Sequence, residues 1–231
     1  MRLILLSDIH GNLAALDAVR DRLPEADRVI VAGDLCLEGP QPAEVLDRLH
    51  ELGWDLLVGN TDRDLVENSP DLKRKKREIV AWTRERLGPA RLNWLAQLPF
   101  SQDVRSGDHS LALVVHANPL NLEDQLYPTL SEADLKPYLD AANAPVLAFG
   151  HLHIPYVRPV GGKLLVDVSS VGHPKDFDRR AVYTVIEWNG EQRSVTQVRV
   201  PYDIDRTVEA LRRSDMPHAG EQADDLLRAS Y

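Results

Sequence analysis

The sequence predicts an α/β domain, and three observations carry that expectation. Short apolar runs of strand length alternate with helix-period patterns over roughly the first sixty positions. The second half changes to strand runs and Gly-bounded hairpins. The chain has 231 residues, 43% of them hydrophobic, which is enough for one full core.

Residues 2–7, 28–32 and 55–58 read as the first three strands, each bounded by turn formers. Between them, Asn12 is placed to cap a helix whose apolar positions are Leu13, Leu16, Val19 and Leu23. Residues 42–52 repeat the pattern through Val45, Leu46 and Leu49. Strand, helix, strand, helix, strand implies parallel strands in a sheet covered on both faces. Residues 71–98 read as helical, with Ile79, Val80, Trp82 and Leu87 near helical spacing and a break at Gly88-Pro89. The run Lys73-Arg74-Lys75-Lys76-Arg77 reads first as a solvated helical face and second as a basic lip that steers an anion. Residues 111–115 and 146–149 read as strands, and 156–160 with 163–166 as a hairpin around Gly161-Gly162. Residues 181–188 and 194–200 form another around Asn189-Gly190, and helices are expected through Val208 and Leu211 and over 221–227. One domain over 1–231 is the economical organisation, with a core over about 1–200 and a helical tail over 201–231.

The 27 basic and 36 acidic residues give a formal charge of −9, which disfavours a stable nucleic-acid partner. No apolar run approaches the roughly 18 residues of a membrane span. One cysteine, Cys36, excludes an internal disulfide, and Asp8 interrupts the first apolar run too early for a signal peptide. A cytoplasmic location is the expectation.

Metal-type ligands stand at the expected strand ends: Asp8 and His10, Asp34, Asn60, His116, and His151 with His153. In open α/β sheets the carboxyl ends of strands are where ligands bind. Two carboxylates, an amide oxygen and four imidazoles are too many for a four-coordinate structural zinc, and no cysteine pair is present. They suit zinc, manganese, iron, cobalt or nickel. Seven donors suffice for two ions if one carboxylate is shared, the arrangement used in two-metal phosphoester hydrolysis. In extended backbone, Asp8/His10 and His151/His153 would each present two side chains to one face. Taken singly, each residue has a plainer role, such as a turn amide for Asn60 or a helix cap for Asp34. His50, His109 and His218 have polar or helix-end settings and are not expected to be ligands.

Ser7-Asp8-Ile9-His10-Gly11-Asn12, Gly33-Asp34, Gly59-Asn60-Thr61-Asp62, His116 and Gly150-His151-Leu152-His153 resemble the ordered blocks of the calcineurin-like metallophosphoesterases. Ser169-Ser170-Val171-Gly172-His173-Pro174 and Gly39-Pro40-Gln41-Pro42 resemble the compact bacterial and archaeal phosphodiesterase branch. The resemblance implies a four-layer α/β/β/α sandwich with two central mixed β-sheets and two divalent transition-metal ions, manganese foremost. It assigns Asp8, His10 and His153 to one metal, Asn60, His116 and His151 to the other, and Asp34 to both. It makes Asp34, Asn60 and His10 the catalytic set around a metal-activated hydroxide. Many relatives carry a His where Thr61 stands, and His173 stands where the branch often has Gln, so His173 is a candidate general acid. Asn12 is open between orienting Asp8 or Asp34 and capping its helix, and Arg179 or Arg180 between a phosphate clamp and a surface ion pair.

The expected function is hydrolysis of a small or nucleotide-like phosphodiester. The alternatives are a phosphomonoesterase, a phosphoprotein phosphatase, a dinucleoside polyphosphate hydrolase, and, from another class, a metal-free interaction scaffold. A homo-oligomer is left open.

Overall fold

The computed structural model describes residues 1–190 and 192–230. Two five-stranded mixed sheets lie face to face. The first holds β1 (Arg2–Leu6), β2 (Arg28–Val31), β3 (Asp55–Leu56), β9 (Ala181–Asn189) and β10 (Gln192–Val200), in the order β10-β9-β1-β2-β3. Its β1, β2 and β3 run parallel, and β9 runs antiparallel to both β1 and β10. The second holds β4 (Ser101–Ser106), β5 (His109–Val115), β6 (Val146–Phe149), β7 (Tyr156–Val160) and β8 (Lys163–Asp167), in the order β4-β5-β6-β8-β7. There β5, β6 and β8 run parallel, flanked by the antiparallel edges β4 and β7. Pro159, which cannot donate to a ladder, sits on edge strand β7.

The period of two along each strand builds the layers. Leu3 and Leu5 of β1, and Ile30 of β2, face Val146 and Ala148 of β6 and Leu164 and Val166 of β8 across the gap between sheets. The alternate residues Ile4, Leu6 and Val31 face outward onto helices α1 (Leu13–Arg20), α2 (Pro42–Leu52) and α4 (Arg74–Leu95). On the other side, Leu147, Phe149 and Leu165 pack against Leu135 and Leu139 of α5 (Glu132–Ala141). A buried leucine of this kind contributes roughly 1.5–3 kcal/mol. The four-layer α/β/β/α sandwich expected from the resemblance is therefore present.

Gly88 leaves helical geometry (φ 66°, ψ 173°) and breaks α4 at the expected place. Three elements go beyond the sequence expectation. Helix α3 (Asn60–Glu67) is mostly polar and buries Leu65. Strand β4 is a polar edge that lacks alternation. Helix α5 contains Pro137, yet its Ser131 cap, accepting from the Asp134 N–H, was a legible start signal.

The tail forms α6 (Ile204–Arg213) and α7 (Ala219–Arg228), and it packs on its own core through Val208, Leu211, Ala223 and Leu226. Thr207 Oγ1 donates to Asn12 Oδ1 at 2.8 Å, tying α6 to the start of α1. Among the described residues, no helix is long and apolar enough to cross a membrane.

Candidate metal centre

The carboxyl ends of β1, β2, β3, β5 and β6 open on one edge of the sandwich, and the loops leaving them bring all seven predicted ligands together. Asp8 and His10 follow β1, Asp34 follows β2, and Asn60 begins α3 after β3. His116 ends β5, and His151 and His153 follow β6. Six of the seven are buried and His151 is half-buried.

The extended-backbone expectation for the two Asp/His-x-His pairs is corrected. Asp8, His10, Asp34, His151 and His153 all have positive φ, between 49° and 68°. The pairs converge because the loops coil through the left-handed region, which Asp, Asn and His tolerate better than most residues. Such strain costs roughly 1–3 kcal/mol per residue and is characteristic of functional sites.

Close backbone approach adds a second constraint. A Cβ on Gly59 would lie 2.1 Å from Asp34 Oδ1, and one on Gly150 would lie 2.1 Å from Ser7 Oγ and 2.4 Å from Asp8 Oδ2. Both glycines keep the carboxylates seated.

Hydrogen bonds around the imidazoles fix where their lone pairs point. His10 Nδ1 donates to Leu37 O (3.0 Å), His116 Nδ1 to Ala32 O (2.8 Å) and His153 Nδ1 to His173 O (2.5 Å). His151 Nε2 donates to Glu123 O (3.1 Å). A carbonyl only accepts, so each of these nitrogens carries the hydrogen, and the opposite nitrogen of the neutral ring presents a lone pair.

Those lone pairs meet other acceptors. His10 Nε2 is 3.3 Å from His153 Nε2, and His116 Nε2 is 3.2 Å from His151 Nδ1 and 2.9 Å from Asn60 Oδ1. Asp8 Oδ1 lies 3.0 Å from His153 Nε2 and has no hydrogen-bond donor. Asp34 reaches both sides, with Oδ2 3.7 Å from His10 Nε2 and Oδ1 3.5 Å from His116 Nε2. Acceptors facing acceptors in a buried pocket are costly unless cations lie between them. The donor set therefore fits divalent metal ions, and the carbonyl contacts are the outer support such ligands need. Two groups have their ligand atoms within 4.8 Å of one another: Asp8, His10 and His153, and Asp8, Asp34 and His116.

Electrostatics divide the donors: burial opposes a charge on His116, but Asp34 and Asp8 outweigh it and raise this ring above its ordinary value, so with no cation beside them the carboxylates draw a proton to it. Burial alone would raise the Asp8 carboxyl, but the positive pull of His153 and its neighbours holds it far below the ordinary range. Burial opposes Asp34 likewise and is outweighed by His116 and His10. Burial pushes His151 and His153 down, which favours the neutral imidazole that ligates metal.

The other candidates sort differently. Asn12 accepts from the Ala15 N–H as a helix cap and donates to Gly172 O and Tyr202 Oη, so it serves the loop framework and makes no bond to Asp8 or Asp34. Arg180 is engaged by Asp178, and Arg179 is exposed. The Thr61 N–H donates to Asp34 Oδ1 at 2.9 Å. The His173 ring lies 6.0 Å from His10 and 5.9 Å from His153, its Nε2 is buried without a partner, and burial pushes its pKa well down.

Asp62 is the positioning residue that sequence reasoning missed. Its Oδ2 accepts from the Asp34 N–H (2.8 Å) and the Gly59 N–H (3.0 Å), and its Oδ1 accepts from the Leu35 N–H (3.0 Å). It staples the Asp34 loop to the Asn60 turn. Burial, reinforced by Asp34, raises its carboxyl to about 7. Its place in the third position of α3 was the available signal. Glu123 contributes only its carbonyl to His151, which no sequence signal marks.

Comparison with known proteins follows the same lines. A sequence model of the calcineurin-like phosphoesterase superfamily domain matches residues 1–191. An uncharacterized protein of Methanocaldococcus jannaschii is 27% identical over 237 residues, covering 92% of this chain and 93% of its own. A symmetrical bis(5'-nucleosyl)-tetraphosphatase of Paracidovorax citrulli is 35% identical over 129 residues, covering 52% of this chain and 45% of its own. The crystal structure of a metallophosphoesterase from Sphaerobacter thermophilus superposes with a TM-score of 0.81 at 26% identity, covering 99% of each chain.

Proposed function

This chain belongs to the calcineurin-like phosphoesterase superfamily, a family of phosphoester hydrolases, and we propose that it is a dinuclear metal-dependent phosphodiesterase acting on a small or nucleotide-like substrate. The observation that carries this reading is the convergence of imidazole lone pairs, two carboxylates and an amide oxygen on one buried pocket. Asp8, His10 and His153 would hold one ion, Asn60, His116 and His151 the other, and Asp34 both. Bound divalent ions there supply positive charge against the phosphoryl oxygens and make water a stronger nucleophile at neutral pH.

The chain's own residues do the rest. Asn60 is a neutral donor, so the pocket carries two carboxylates instead of three and stays more electrophilic toward an anionic ester. Asp62 and the four backbone carbonyls hold the donors in place before substrate arrives, so little reorganisation accompanies the reaction. His173 borders the pocket with its Nε2 unpartnered, but burial pushes its pKa well down, so the ring is neutral and a poor proton donor to the leaving oxygen. A diester with a good leaving group needs little help from it.

A second reading, hydrolysis of a dinucleoside polyphosphate, is favoured by the 35% identity to the Paracidovorax citrulli enzyme over half of this chain. The test is metal content by mass spectrometry on protein purified without chelator, with turnover of bis(p-nitrophenyl) phosphate and p-nitrophenyl phosphate under added Mn, Ni, Co, Zn and Mg. About two metals per chain with metal-stimulated diester turnover is the expected result. Strong preference for the monoester would replace the diesterase reading with a phosphatase one. No uptake of any of these metals would overturn the centre itself.

A further inference from the structure

Beside the centre lies a second cavity, of about 430 Å³, within the size range of small-molecule sites. Lys73, Lys75 and Lys76 of the α4 start and Lys175 of the loop after β8 line it, facing Glu38 and Asp225. Asp64 matches Lys76 and Glu221 matches Lys75, so the carboxylates around the cavity equal its ammonium groups in number; what the cavity offers an anion is four cationic hydrogen-bond donors gathered from two remote segments, not a net positive field. Lys76 pairs with the buried Asp64 and Lys75 with Glu221 at 2.7 Å, so both ammonium groups are held in place.

The cavity shares its inner wall with the metal centre. His173 and Glu38 border it, the His173 ring is 5.9 Å from that of His153, and Glu38 Oε2 is 3.9 Å from His10 Nδ1. The Lys175 N–H donates to the carbonyl of His153 at 3.0 Å, anchoring the lysine loop on a ligand residue. The His173 side chain, 9% exposed, forms part of this shared wall. The outer wall is α7, through Gln222 and Asp225, which lies beyond the 1–191 family match. A larger cavity, of about 550 Å³, opens beside Met1, Arg2 and Trp188 and is lined by none of the candidate ligands.

We propose that the lysine-lined cavity binds the non-reacting, phosphate-bearing portion of the substrate, so that the substrate carries at least two anionic groups, one at the metals and one against α4. This deepens the phosphoesterase reading of the centre and rests on it. On this proposal the tail helices set substrate length, because α7 closes the far side of the cavity.

The test is calorimetric titration of the full-length protein, as purified, with tripolyphosphate. Wild type is expected to bind, more weakly as salt rises. Lys73→Gln/Lys175→Gln is expected to lose about tenfold or more in affinity, and Lys73→Glu alone a comparable factor. Lys136→Gln, which removes the same charge on α5, is expected to bind like wild type. Asp34→Asn is expected to keep lysine-dependent binding. Unchanged affinity in the double variant and in Lys73→Glu, both with a wild-type melting temperature, would overturn the proposal. So would loss of binding in Asp34→Asn with retention in the lysine variants, which would put the anion on the metals. Turnover of bis(p-nitrophenyl) phosphate, run in parallel, judges the centre separately: an inactive wild type that still binds tripolyphosphate through Lys73 refutes the hydrolase reading and leaves the anion site standing.

Discussion

The two sheets contribute unlike chemistry to one pocket. The first delivers every oxygen donor, Asp8, Asp34 and Asn60, with a single imidazole, His10; the second delivers only imidazoles, His116, His151 and His153. Support differs as well. Asp34 of the first sheet is clamped by backbone donors and by the Asp62 staple. The imidazoles of the second are aimed by single carbonyl acceptors, and the most open of them, His151, leans on Glu123 of an irregular loop. The lesson is a division of labour. The fixed negative charge that attracts cations comes from one sheet alone, and three of the five neutral donors come from the other.

The largest test of that division is Asp34→Asn, which removes the carboxylate proposed to serve both ions. Turnover is expected to fall by roughly 10²–10³-fold or more, read as kcat on a chromogenic diester. Full activity with full metal content would break the comparison. Next comes His151→Ala against His153→Ala. Each removes a second-sheet imidazole, but His153 belongs to the Asp8 side and His151 to the Asn60 side. Each variant is expected to keep one ion and to hold the other roughly 10–100-fold more weakly. Metal content by mass spectrometry after dialysis decides it, and loss of both ions from both variants would merge the two halves into one unit.

A third substitution attacks the seam between the sheets. Gly150 belongs to the second sheet and presses on Ser7 and Asp8 of the first. Gly150→Ala is expected to cost about 1–3 kcal/mol through overpacking, seen as a lower melting temperature together with weaker metal retention. A stability loss with intact metal binding would show that the seam is tight without positioning Asp8.

The smallest effect is expected far from both sheets and serves as the control. His218 precedes α7 and bonds Glu78 of α4 at 2.9 Å and Glu221 at 3.1 Å. Those hydrogen bonds, Glu78 first, raise its pKa above the ordinary 6.5. Folding therefore favours the protonated ring. The stabilisation is complete below the ordinary value and is lost as pH rises through the raised one. His218→Gln should lower the melting temperature slightly at pH 5.5, with the gap to wild type closing by pH 8.5. A gap that widens with pH would show that the neutral ring is the form held.

The same division explains what could be read in advance. In the first sheet, neighbours in sequence are neighbours in space, and β1, α1, β2 and α2 follow from apolar period and caps. In the second, β4 and α5 escaped notice because an edge strand needs no alternation and a proline masked the helical pattern. All seven metal-type residues were visible as polar side chains ending apolar runs. Their coiled, positive-φ loops were not, since nothing local to Asp8 or His151 calls for left-handed backbone.

The sequence by itself determined the α/β class, because strand period and helix caps are local properties, and the family, through ordered motifs that resemble it; the four layers and the candidate ligand set are what that resemblance implies. Only the tertiary structure decided that the imidazole lone pairs face one another, that Asp62 clamps the Asp34 loop, and that lysines from α4 and from the loop after β8 share a cavity with α7. Those outcomes depend on contacts between segments tens to more than a hundred residues apart, which form only when the two sheets pack and the tail closes over them.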